Sequence, residues 1–182
     1  MAVETPVSGL LLWLLPLLFL LHDAEEALFL PPWLRRNREH LARRFPALSR
    51  RLLPHLAAIG PARFAAMAAE ELALLLAVTL YARFTHDLYP WLALFLAFGA
   101  HLLLHGVQAI VAGRFPPLVA TSLFGLAYCG WGLHEMINSR LFTLREFVLC
   151  GAAGCLFAAV NLYAVHRLTA FAAGLAARRR TR

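Results

Sequence analysis

The run Leu20-Leu21-His22-Asp23-Ala24-Glu25-Glu26-Ala27-Leu28-Phe29 sets one imidazole and three carboxylates among leucine and phenylalanine. Ionisable groups in such a run are costly to hold in hydrocarbon, and they mark ion, proton or substrate sites. At about 100° per residue, Glu25 and Glu26 flank His22 on one helical face, while Asp23 points away. Glu70-Glu71 repeats the pattern inside an alanine-leucine run. His101-Leu-Leu-Leu-His105 puts two imidazoles one turn apart, with Gln108 on the same face. Two histidines at i,i+4, or a histidine with a carboxylate at i+3 or i+4, can ligate one metal ion. The candidate ligands are therefore His22, Glu25, Glu26, Glu70, His101 and His105, with Gln108, Thr121 and Asn161 behind them. Glu26 or Glu71, if left free of the ion, is the candidate general base. Imidazole and carboxylate without a nearby thiolate suit Zn, Fe or Mn. Six groups suffice for two ions, but nothing in the spacing demands two.

Elements long enough to carry these groups follow from the composition. Of 182 residues, 61% are hydrophobic, the balance of a polytopic membrane protein rather than a soluble domain. The expected architecture is all-α, a single membrane helix bundle over residues 1–182. Five transmembrane helices are expected at about 7–30, 62–84, 90–113, 118–137 and 144–168. Pro16 should kink the first and Pro31-Pro32 should end it. The run continues into His22-Asp23 with no basic residue before it, so it reads as a span and not a cleaved leader.

Residues 33–61 change character. Leu34, Leu41, Phe45, Leu48 and Leu52 share one stripe, arginines fill the other faces, and Trp33 opens the segment. That is the pattern of a basic amphipathic helix lying on an anionic membrane surface, with His40 and His55 solvated. In the fourth span Thr121, Gly125, Tyr128, Gly132 and Glu135 form a stripe, as do Gly151, Gly154, Ala158 and Asn161 in the fifth; small residues on a stripe face a packed neighbour. Cys129, Cys150 and Cys155 lack thiolate-site spacing and read as small apolar residues.

The net charge of +7 comes entirely from arginine, placed between apolar runs and at the C-terminus. This placement excludes a nucleic-acid partner and points to membrane lipids; a homo-oligomer stays open. Arg35, Arg36, Arg38, Arg43, Arg44, Arg50 and Arg51, with Arg114, Arg167 and the final cluster, lie on one side. The positive-inside rule then puts the N-terminus outside and the C-terminus in the cytoplasm. Counted from that side, His22, Glu70 and His105 all lie roughly 12 Å deep, with Asn161 at a similar level. Each has a plain alternative: a polar plug paired within one helix, acids facing headgroups, or hydrogen-bonded core histidines. Together these weaken, because no arginine occupies the layer, and protons, imidazoles or a metal must neutralise the acids. His134-Glu135 lies at the opposite face, where pairing with Arg140 or Arg145 is expected, and His166 reads as interfacial.

The motif His22-Asp-Ala-Glu25-Glu26 in a first span resembles the HXXEE family, and the similarity extends to Glu70-Glu71 and to His101-Leu-Leu-Leu-His105-Gly-Val-Gln108. It includes Arg114-Phe115-Pro116-Pro117 and Thr121, with Pro117 standing where related sequences tend to have Gly. The resemblance implies an integral protein of a bacterial-type plasma membrane and supplies no substrate. The residues themselves point first to an intramembrane metal-dependent enzyme, a hydrolase or oxidase, acting on a lipid-like or amphiphilic substrate. The alternatives are a proton- or metal-ion carrier and a non-catalytic subunit with a structural polar cluster.

Overall fold

A computed structural model describes residues 7–57, 59–116 and 118–180. Among these the chain is all-α, with six helices and no strand. They are α1 (Gly9–Arg44), α2 (Pro46–Ala57), α3 (Pro61–Thr85), α4 (Tyr89–Ala112), α5 (Val119–Asn138) and α6 (Leu144–Arg180).

Local chemistry sets most of the boundaries. The Ser8 hydroxyl accepts the Leu11 amide and caps α1. Prolines open α2 and α3 and lie in the first turn of α4, where a missing N–H costs nothing. Residues in the left-handed region close two helices, His86 after α3 and Gly113 after α4. The start of α6 is a reciprocal capping box. The Thr143 amide and hydroxyl donate to Glu146 Oε2, and the Glu146 amide returns to Thr143 Oγ1 at 3.3 Å.

Two expectations need correction. Pro31-Pro32 does not end the first helix, and residues 33–61 are not one surface segment: α1 runs through both prolines to Arg44. Pro31 and Pro32 each lack the N–H of a helical hydrogen bond, and bonds from the far end of α1 to α4 hold the rod together. Trp33 Nε1 donates to the Phe115 carbonyl at 3.1 Å, His40 Nε2 to Ala112 at 2.9 Å and Arg44 Nε to Val111 at 2.9 Å. These carbonyls belong to the end of α4 and the turn after it, where helix acceptors lack partners of their own. His40 is therefore a docking residue and not a solvated one. The amphipathic remainder is α2, with Leu48 exposed; the side chains of Leu52 and His55 and of the tail arginines 178–180 lie outside the described set, as do Pro117 and Arg182. The last helix also runs well past residue 168.

Three helices are long and apolar enough to cross a membrane: Pro61–Thr85, Tyr89–Ala112 and Leu144–Ala172. α4 is the hub, packed against α1, α3, α5 and α6. Near its N-terminal end the core is aromatic and aliphatic, built from Leu11, Leu12 and Leu15 of α1, Trp91, Leu92 and Phe95 of α4, and Tyr128 and Met136 of α5. Trp91 and Phe95 stack with centroids 5.0 Å apart, and the Tyr128 hydroxyl donates to the Leu11 carbonyl at 2.8 Å. Of the glycines, Gly154 lies closest to a neighbour. A Cβ there would stand 2.0 Å from the Ala93 carbonyl oxygen, so α6 and α4 touch backbone to backbone. Gly125, Tyr128 and Gly132 face inward as their stripe suggests, whereas Glu135 and Ala158 are exposed. The periphery is apolar: Leu10, Trp13, Leu17, Phe124, Phe157 and Tyr163 all point outward. So continuous a hydrophobic exterior is what lipid, and not water, accommodates.

Candidate metal centre

The polar layer lies near the C-terminal end of α4. α1 presents His22 and Glu26 to it, one turn apart, and α4 presents His101 and His105, also one turn apart. One ligand atom from each of these four residues lies within 4.8 Å of the others, so they form a group able to hold a metal ion. The rings crowd together: His22 is 5.4 Å from His101 and 5.0 Å from His105, and His101 is 4.4 Å from His105, centroid to centroid. Nε2 of His101 and Nε2 of His105 are 3.0 Å apart. Two ring nitrogens this close must share a proton or face a common cation. On one tetrahedral zinc, with Zn–N distances of 2.0–2.1 Å, two nitrogens stand about 3.3 Å apart.

His22 is fully buried, with its edge toward Phe98. Its Nδ1 lies 2.9 Å from Thr121 Oγ1 in the first turn of α5. Its Nε2 has no hydrogen-bond partner among the described residues. Leaving such an atom unsatisfied costs about 1–3 kcal/mol, a burden that a metal ion in the group would remove. Three imidazoles and one carboxylate form a borderline donor set, which fits Zn, Fe or Mn.

The remaining predicted site residues divide by helix face. Viewed down α1, Glu25 is about 60° to one side of His22 and Glu26 about 40° to the other. Glu25 accordingly turns to α5. Its Oε2 accepts the Thr121 amide at 3.2 Å and also the Thr121 hydroxyl. Glu26 turns into the four-residue group. Glu70 reaches α6, where Asn161 Nδ2 donates to its Oε2 at 3.0 Å; it stands outside the four-residue group. Glu71 lies within electrostatic reach of Glu26 and Asp23, and Gln108 sits beside His105.

Asp23 stands outside the four-residue group, as its angle from His22 predicts, but within electrostatic reach of Glu26 and Glu71. The signal was present in its i,i+3 spacing to Glu26, which puts both on adjoining faces. At the other end of the bundle, His134 bonds Asn138 of its own helix at 2.9 Å. Arg63 at the start of α3 ties down α6, donating to the His166 carbonyl at 2.8 Å and to Thr169 Oγ1 at 3.1 Å.

Neither a curated protein nor a solved structure matches this chain. Residues 13–132 match the profile of proteins of unknown function with an HXXEE motif, a stretch from Trp13 of α1 to Gly132 of α5. It includes His22, Glu25, Glu26, Glu70, Glu71, His101, His105 and Thr121, and leaves out only Asn161 among the site residues named above. The chain belongs to the HXXEE-motif family of proteins of unknown function.

Proposed function

We propose that this protein is a multi-pass membrane metalloenzyme whose ion is held by His22, Glu26, His101 and His105 and which acts on the head of a lipid-like, amphiphilic substrate. The observation that carries the reading is the buried, unpartnered Nε2 of His22 beside two converging imidazoles and a carboxylate. The site is set in a five-span bundle, with the first part of α1 and all of α5 joining the three most apolar helices. Support comes from the outward-facing Leu10, Trp13, Leu17, Leu20 and Leu21 on α1 and Leu123 and Phe124 on α5. The arginine distribution favours an N-terminus outside and a site roughly 12 Å from the cytoplasmic boundary, a depth that would suit an amphiphilic substrate whose head reaches it.

A divalent ion here would polarise an ester or phosphoryl oxygen of the substrate. Glu71, across from Glu26 and outside the four-residue group, is the carboxylate free to take a proton from an attacking water. Asn161 holds Glu70 and thereby keeps the neighbouring acid from competing for that role.

The test is elemental analysis of protein purified in mild detergent, for wild type, His22→Ala and His105→Ala. Near-stoichiometric Zn, Fe or Mn in wild type and its loss in both variants is the expected result. A folded wild type that takes up no metal when supplied with each overturns the metal reading. Incubation of the loaded protein with a membrane-lipid extract should give conversion that a chelator stops. Metal or proton flux into liposomes without lipid turnover would replace the enzyme with a carrier.

A further inference from the structure

The first glutamate of the motif has a partner that explains why it stands beside the second. Glu25 Oε2 accepts the backbone N–H of Thr121, which can only donate. With Glu25 ionised, that oxygen only accepts, and the Thr121 hydroxyl, bonded to the same atom, gives its proton to it. With its hydrogen so committed, Thr121 Oγ1 has only lone pairs left for His22 Nδ1, 2.9 Å away. Nδ1 must then carry the ring proton. The unprotonated nitrogen is Nε2, the atom that is buried without a partner among the described residues, on a ring that stands beside His101, His105 and Glu26.

We infer that Glu25 and Thr121 are positioning residues, a relay from α1 through α5 and back to α1 that fixes the His22 tautomer and keeps Nε2 available as a ligand. Metal-bound histidines commonly donate their second ring N–H to such a group, and loss of that partner typically costs 10–100-fold in metal affinity. The inference rests on the metal reading of the site. It assigns the motif's three polar letters distinct tasks: His22 and Glu26 bind, and Glu25 orients.

A simpler role competes. Thr121 lies in the first turn of α5, and no side chain of the cap residue Leu118 satisfies the amides there. Glu25 is well placed to cap that helix and do nothing else. The two roles separate at the Thr121 side chain, because Thr121→Val removes the hydroxyl but leaves the amide for Glu25.

The experiment titrates Co²⁺, read by its visible spectrum, into metal-free wild type, Thr121→Val and Thr121→Ser, with nitrogen-proton correlation spectra of the His22 ring in the metal-free proteins. Wild type should show the Nδ1–H tautomer. Thr121→Val should lose it, bind Co²⁺ 10–100-fold more weakly and shift the visible band. Thr121→Ser should restore all three readouts to within about threefold of wild type. Should the valine variant not fold, Thr121→Ala against Thr121→Ser gives the same contrast. A His22 ring protonated on Nε2 in wild type, or a valine variant that binds Co²⁺ with the wild-type affinity and spectrum, overturns the relay and leaves the metal site standing. Absence of Co²⁺ and Zn²⁺ binding to wild type sinks the metal reading instead, while the tautomer measurement still reports on the relay.

Discussion

The two ends of the bundle are held together by opposite means. Around Trp91 and Phe95 the helices meet through stacked rings, leucines and glycines, and the Tyr128–Leu11 hydrogen bond is the polar link between α1 and α5. Around His105 the contacts are polar: His22 to Thr121, Thr121 to Glu25, Asn161 to Glu70, and Trp33, His40 and Arg44 to the end of α4. The first end leaves Trp91 Nε1 buried without a partner among rings and leucines. The second leaves His22 Nε2 unpartnered on a ring that stands beside two histidines and a carboxylate. Interhelical hydrogen bonds alone are an ordinary way for membrane helices to associate, so what sets the second end apart is the convergence of three imidazoles and a carboxylate.

That contrast breaks most violently at Gly154. A side chain there meets the Ala93 backbone, which cannot rotate aside as a leucine tip can. Overpacking ordinarily costs about 1–3 kcal/mol, and a backbone clash lies at or beyond the top of that range. Gly154→Val should leave little folded protein in detergent, read as loss of the monodisperse peak and of cooperative thermal unfolding. A well-folded valine variant would show that α4 and α6 are not in backbone contact.

Next in size is the effect of metal on stability. At an ion concentration one hundred times its dissociation constant, binding stabilises by about 2.7 kcal/mol. The wild-type Tm should rise on adding the ion and fall back with a chelator, and His22→Ala should abolish the rise. The aromatic end predicts a different response. Tyr128→Phe removes its hydroxyl's bond to Leu11, costs about 1 kcal/mol and leaves the metal-induced rise intact. Loss of the rise in Tyr128→Phe would mean that the two ends are coupled and do not act as separate modules.

Periodicity read the aromatic end more fully than the polar one, for a physical reason. Prolines and a left-handed glycine are local signals, so α3, α4 and α5 begin and end within about two residues of where composition puts them. Facing stripes such as Gly125, Tyr128 and Gly132 are likewise written along one helix. The continuation of α1 past Pro31-Pro32 is not, because the bonds that support it come from α4 and are invisible to a local reading. Within the site, the approach of His22, Glu26, His101 and His105 follows from depth and helix face. The different tasks of Glu25 and Glu26 do not, since Thr121, the residue that separates them, lies ninety-six positions from Glu25.

The smallest expected effect is also the one that draws the border of the site most sharply. Glu70 is at the right depth to be a ligand, yet its carboxylate is held by Asn161 from α6. If that bond is the whole of its role, Asn161→Ala should cost about 0.5–1.5 kcal/mol of stability, the ordinary worth of one such contact. Metal affinity should change by less than about threefold, far below the loss expected when a group orienting a ligand is removed. An increase in affinity on freeing Glu70 would mean that Asn161 restrains a fifth donor and that α3 can close on the ion. A decrease as large as that of Thr121→Val would make Asn161 and Glu70 part of the support for the ion, and the polar end would then be a single network from α1 to α6. Titrating Asn161→Ala beside Thr121→Val in the same detergent decides which, because both variants delete one hydrogen-bonding group at the same level of the bundle and only one of them touches His22.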